Sequence, residues 1–230
     1  MKMNKKNVLI GAVVGVSVIL ILVGILAVSG VFRKFDASEY VEAVLDQSLK
    51  GETKGAAELT DGTADSLYAQ YETAITSFVK NGILGGVEVN EETAKKHIEL
   101  CKKVFAGMKY EVQEEKELKD GGFEVEVKYQ VSDVFAQYTR AIKEENARIL
   151  EKADNGEYRG TLEEVNAQIE EEFITNAYTL FEECYKNMQF SDEGTMNFVV
   201  TKDESGLYKM QEGQITEFIK KIMNLDAKQD

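Results

Sequence analysis

The chain has 230 residues, with 41 acidic against 27 basic side chains, a formal net charge of −14, two cysteines, one histidine and neither proline nor tryptophan. A surface so acidic, with arginine only at Arg33, Arg140, Arg148 and Arg159, is a poor match for nucleic acid or another polyanion, and it favours neutral or cationic partners. Without proline the chain has no stiff Pro-rich spacer, and its helices can run long.

Lys2, Lys5 and Lys6 precede an uncharged stretch, residues 7–32, whose part from Val8 to Val28 is apolar except at Gly11, Gly15, Ser17 and Gly24. As a helix that part would be roughly 31 Å long, the thickness of a hydrocarbon core. Two readings compete. An uncleaved signal-anchor over 8–32 fits the length, whereas a cleaved signal peptide fits the small residues Ala27, Ser29 and Gly30. The first is preferred. No cysteine follows Leu26-Ala27-Val28-Ser29-Gly30, so the lipid-bearing position of a lipoprotein signal is missing. The lysines before the helix place residues 1–7 in the cytoplasm and 33–230 outside, giving a single-pass protein of the cell membrane with an extracellular domain. Gly11 and Gly15 have the small-xxx-small spacing that permits a weak dimer in the membrane.

A helix is expected from the cap Asp36 or Ser38 to Gly51, with Tyr40/Val41, Val44/Leu45 and Leu49 on its apolar side. A second begins near Thr63 and should stop at Asn81-Gly82. After a loop, Asn90 caps a third, with Glu91 and Glu92 in its first turn and Ala94, Ile98, Cys101, Val104 and Phe105 as its stripe. The period then changes to two. Phe123, Val125, Val127, Tyr129 and Val131 alternate with Glu124, Glu126, Lys128, Gln130 and Ser132, which predicts a half-buried strand. Tyr110 and Val112 open its hairpin partner. A second hairpin is expected at Met196–Val200 and Leu207–Met210.

Between the hairpins, Val134, Tyr138, Ala141/Ile142 and Ile149, then Leu162, Val165, Ile169, Phe173, Ala177, Leu180/Phe181, Cys184 and Met188, predict a long helical hairpin over about 133–188, broken at Asp154-Asn155-Gly156. A last helix carries Ile215, Phe218/Ile219 and Ile222/Met223. The fold class is therefore α+β: a transmembrane helix, then an exterior domain with an antiparallel sheet of two hairpins, packed helices and an inserted helical hairpin.

The segments Phe35-Asp36-Ala37-Ser38-Glu39-Tyr40-Val41-Glu42-Ala43-Val44-Leu45-Asp46, Lys50-Gly51-Glu52, Lys109-Tyr110-Glu111-Val112 and Phe123-Glu124-Val125-Glu126-Val127 resemble domains of unknown function in surface lipoproteins of Gram-positive bacteria. The resemblance implies a nuclear-transport-factor-like, cystatin-like α+β cone, with a pocket between sheet and helices. The missing lipid-bearing cysteine departs from that family and transfers anchoring to the membrane helix.

Catalytic patterns are sparse. His97 and Cys101 stand at i and i+4, but no oxyanion loop or nucleophile elbow accompanies them. Glycine patterns for phosphates or dinucleotides are missing, Cys101 and Cys184 lack zinc spacing, and Asp154-Asn155-Gly156-Glu157 lacks the acids of a calcium loop; no metal or cofactor is expected. The two cysteines are either buried thiols or one disulfide. Runs such as Glu144-Glu145 and Glu170-Glu171-Glu172 fan out by about 100° per residue and read as solvated faces. Tyr68, Tyr71, Tyr110, Phe123 and Tyr129, with Phe78, either line a ligand pocket or pack as core. The expected role is a non-enzymatic binding domain for a small ligand, peptide or partner protein. An enzyme with a carboxylate or tyrosine pocket is the first alternative. The second is an envelope assembly component docking through the helical hairpin.

Overall fold

The computed structural model describes residues 35–60, 62–119 and 121–225. The expectations for residues 1–7, the span 8–32 and the pair Gly11 and Gly15 therefore lie outside the described residues. Among the described residues no helix is long and apolar enough to cross a membrane.

Helix α1 (Ala37–Lys50) starts where the Asp36 carboxylate accepts the Glu39 N–H, and it ends at Gly51, whose φ of 70° closes the last turn. A short helix α2 (Lys54–Leu59) follows, which the sequence reading did not anticipate; six residues are too few to display a period, and Ala56 alone is buried, against Ala43 and Leu67. Helix α3 (Ala64–Phe78) begins at the Thr63 cap as expected but does not stop at Asn81-Gly82. It continues as a π-helical turn, Val79–Ile83, and the chain reverses only at Gly85 and Gly86, both at positive φ. The cause is tertiary: the buried Tyr138 hydroxyl donates 2.9 Å to the Ile83 carbonyl, satisfying an end-of-helix acceptor. Helix α4 (Glu91–Ala106) is capped by Asn90.

Strands β1 (Tyr110–Glu117), β2 (Phe123–Ser132), β3 (Phe190–Lys202) and β4 (Tyr208–Met210) form one antiparallel sheet in chain order. The long excursion between β2 and β3 is the helical hairpin, α5 (Val134–Asp154) and α6 (Leu162–Lys186), and α7 (Gln214–Ile222) closes the fold. The period-two reading of β2 holds at its centre: Val125 and Val127 are fully buried while Glu126 is exposed. Opposite them stand Phe198 and Met196, and Val112 pairs with Val127, so the apolar residues of three strands share one face. Helices α1 and α7 lie against that sheet. Strand β3 begins six residues before the predicted Met196, because Phe190 to Gly194 are held by pairing with β2 and not by alternation of their own.

The hairpin docks on the body through aromatic rings. Phe135 lies 5.4 Å from Phe78, 6.3 Å from Phe105 and 5.9 Å from Phe181 by ring centroids, and Phe181 packs 5.1 Å from Tyr138. Cys101 and Cys184 are both buried free thiols.

Candidate functional site

The structure distributes the five candidate aromatic residues over three places. Tyr68 and Tyr71 are neighbours on α3, 6.0 Å apart. Tyr68 is 40% exposed and accepts a 3.3 Å hydrogen bond from the Lys102 ammonium, which also pairs with Glu72 at 2.8 Å. Tyr71 is buried and lies across the end of α1. A Cβ on Gly51 would come within 2.6 Å of its ring, so the glycine is needed both for its backbone angle and for space. Tyr110 and Tyr129 are direct cross-strand partners on the sheet, and both meet the edge of Phe218, at 6.0 and 5.3 Å. The Tyr110 hydroxyl donates to the Asp46 carboxylate, which also holds Lys50 at 2.7 Å, so this residue ties β1 to α1. Phe123 lies at the other end of the strand, 5.7 Å from Phe35 and 5.6 Å from Tyr208. Only Tyr110 and Tyr129 are thus brought to one place on the sheet, with the Phe218 ring packed against both.

Two other recesses lie along α6. The distal one, about 450 Å³, is lined by Lys152, Tyr158, Glu172, Asn176 and neighbours. Its polar groups satisfy one another. Glu172 accepts from Lys152 at 2.7 and 2.9 Å, from Tyr158 at 2.8 Å and from Arg148, while Glu145 takes a two-pronged bond from Arg148 at 2.6 and 2.8 Å and another from Asn176 at 2.7 Å. Burial would raise the Glu172 carboxyl, but the bonds from Lys152, Arg148 and Tyr158 outweigh it and bring it down to about 2. Burial and the Glu172 bond push the Tyr158 phenol upward. Both carboxylates are held ionised by partners that cancel their charge, so this network clasps the hairpin rather than exchanging protons. It also corrects the reading of the glutamate runs as wholly solvated. One member of each run, Glu145 and Glu172, turns into the seam, while Glu144, Glu170 and Glu171 remain exposed.

The second recess, about 480 Å³, runs between α4 and α6. Helix α4 contributes Glu92, Lys95, Lys96, Glu99, Leu100 and Lys103, a stripe at steps of three and four; α6 contributes Tyr178, Glu182, Tyr185 and Lys186. Lys96 pairs with Glu92 at 2.8 Å and Lys186 with Glu182 at 2.6 Å. These glutamates raise both lysines. Lys95 and Lys103 are exposed and make no ion pair among the described residues. The groove therefore offers two uncommitted cations around an apolar floor of Leu100 and the tyrosine rings. Sequence reading missed it because Lys95 and Lys103 belong to one helix while Tyr178 and Tyr185 follow on another, 83 and 82 residues further along.

Behind the groove, His97 stands edge-on to Tyr178 at 5.2 Å. Its Nδ1 donates to the Thr93 carbonyl at 2.8 Å, and its buried Nε2 has no partner among the described residues. Burial lowers its pKa, opposed only in part by the Thr93 bond. No group of three or more His, Cys, Asp or Glu residues able to hold a metal ion occurs among the described residues. Burial pushes the Cys184 thiol up to about 11 and raises Cys101 further, so neither is poised as a nucleophile.

No protein-family model matches the sequence, and no curated protein matches it. The fold is similar to that of the crystal structure of YcdA, a proposed lipoprotein of Bacillus subtilis subsp. subtilis str. 168, at 14% sequence identity and a TM-score of 0.51. The match covers 82% of this chain and 56% of that one, so the chain spans little more than half the length of that structure. At this identity the likeness is one of fold.

His97 generates a pH prediction. Its folded-state pKa lies below the unfolded value of about 6.5, so the unfolded chain binds the extra proton and stability falls as pH drops below that value. Urea unfolding should show stability falling from pH 7.5 to 5.5, and His97→Phe should flatten that slope. An unchanged slope in the variant would show that this histidine is not the titrating group.

Proposed function

We propose that this chain is a membrane-anchored, extracytoplasmic binding domain without catalytic activity, and that it holds an anionic ligand with an apolar portion in the groove between α4 and α6. The observation that carries the reading is the pair of uncommitted lysines, Lys95 and Lys103, beside Leu100, Tyr178 and Tyr185. The recess is of the size that encloses small ligands, which need an apolar wall and a few placed charges. Net charge had pointed to neutral or cationic partners. It averages over the surface, however, and four lysines against three glutamates make this groove a local exception.

A non-enzymatic role is supported by the ionised, fully partnered state of Glu145 and Glu172 and by the buried, protonated thiols. Anchoring is supported by the apolar run Val8–Val28 and by the fold shared with a proposed lipoprotein. A sheet with helices packed against its apolar face supports the cystatin-like, nuclear-transport-factor-like assignment.

Isothermal titration of the purified protein with a panel of aromatic carboxylates and phosphate esters tests the groove. At least one member should bind, and Lys95→Glu with Lys103→Glu should weaken it by about tenfold or more, as expected for the loss of charge-assisted bonds. Both residues are exposed, so the fold should persist, at a cost of about 1–2 kcal/mol from new like-charge contacts with Glu91 and Glu99 along α4. No binding across the panel, or equal binding by the variant, would contradict the assignment. The anchor has a separate test. Protease added to intact cells should remove the domain and leave an N-terminal membrane fragment, whereas a mature protein starting at Gly30 would mean that the segment is cleaved.

A further inference from the structure

Strand β3 is interior in the sheet order, yet among the described residues part of its second side has no neighbouring strand. Strand β3 pairs with β2 over most of its length, but β4 pairs only with Val200 to Lys202. Which backbone groups of β3 face that open side follows from the bonds around it. Asp203 N–H bonds to Leu207, Gln211 N–H bonds to the Val199 carbonyl, and Gln130 of β2 turns away from β3 to bond Lys109. Odd-numbered residues of β3 therefore point their N–H and C=O groups to the β4 side, and the register is unbroken from Val200 to Glu193.

Beyond β4, the Gln214 side chain takes the place of a strand for one repeat. Its amide oxygen accepts the Val199 N–H at 3.0 Å, and its amide nitrogen donates to the Asn197 carbonyl at 3.1 Å. Past this point the Asn197 N–H and both backbone groups of Thr195 and Glu193 have no partner among the described residues, and all three residues are exposed. The opposite edge is guarded. Strand β1 carries Glu111, Glu114, Glu115 and Glu117, has an irregularity between Val112 and Glu115, and gives the Glu115 carboxylate to the Ala37 N–H.

We propose that the β3 edge at Glu193–Asn197 is a strand-addition site for an extended segment of a partner protein. The incoming strand continues the line of β4, takes up the five open backbone groups and can place a basic residue opposite Glu193, which it would share with Lys128 at 4.0 Å. A second copy paired symmetrically about Thr195 does not fit. Antiparallel pairing of the two edges about Thr195 would bring Ser191 of one copy to the place beside Val199 that Gln211 and Gln214 already fill in the other.

The site is independent of the α4–α6 groove, and the test separates them. Full-length isotope-labelled protein in detergent micelles is titrated with a synthetic peptide of alternating valine and threonine carrying a central lysine. A second peptide of the same sequence is N-methylated at the residues whose N–H groups would face β3. The parent peptide should slow amide exchange at Glu193, Thr195 and Asn197 by about tenfold or more, and the methylated one should not. Thr195→Pro removes an outward N–H without breaking a bond to β2, and it should weaken the parent peptide by a similar factor. Lys95→Glu with Lys103→Glu should leave the peptide effect unchanged. Failure of the parent peptide to protect these amides, or equal protection by the methylated one, overturns the proposal.

Discussion

The ring cluster around Phe135 is the contact on which the rest of the arrangement depends. Phe78 from α3, Phe105 from α4, Phe135 from α5 and Phe181 from α6 converge there, with Tyr138 alongside. Rings packed edge to face bury large areas and accept only a few mutual orientations, so they fix position as well as adding stability. Their packing sets α6 beside α4 and thereby creates the groove that holds Lys95, Lys103, Tyr178 and Tyr185. It also brings the Tyr138 hydroxyl to the Ile83 carbonyl, which lets α3 run on through a π turn where its sequence suggested an end. At the far end of the hairpin the Glu145, Arg148, Lys152 and Glu172 network performs a similar task with charge. There the cost of partial burial is offset because every carboxylate oxygen finds a donor.

The sheet divides the molecule's surface in another way. One face is apolar and covered; the other carries Glu126, Lys128, Thr195 and Asn197. Its two long edges are treated differently, with acidic side chains and an irregularity on β1 but backbone groups left open on β3. Charge is likewise uneven. The chain is strongly acidic as a whole, yet one groove is lined by four lysines and three glutamates, a local balance of the opposite sign.

Much of the fold was legible where one element carries its own period. Val125 and Val127 against Glu126 announced the central strand, and the steps of three and four from Val165 to Cys184 announced α6, because side chains on one element face the core at fixed intervals. Phe135 was not legible. It follows Val134 directly at a strand-to-helix junction, where neither period applies, and its importance comes from rings on three other helices. The same holds for Gly194, which looks like a loop residue and is instead the strand position beneath the Tyr129 ring, where a Cβ would come within 3.1 Å. The candidate site was least legible of all. The tyrosines were noticed as a set, but residues 42 apart, Tyr68 and Tyr110, share no site, whereas Lys103 and Tyr185 line the same groove from separate helices.

The central claim is that helical hairpin and sheet form one cooperative unit through Phe135. Hydrogen exchange read by mass spectrometry across a urea series, comparing segments from 134–186 with segments from 110–132, tests it most directly. Both regions should open at the same urea concentration in the parent protein, and Phe135→Ala should lower both together by about 3–5 kcal/mol, the cost of truncating a buried phenylalanine. A variant whose hairpin opens alone while the sheet keeps its original protection would contradict the account.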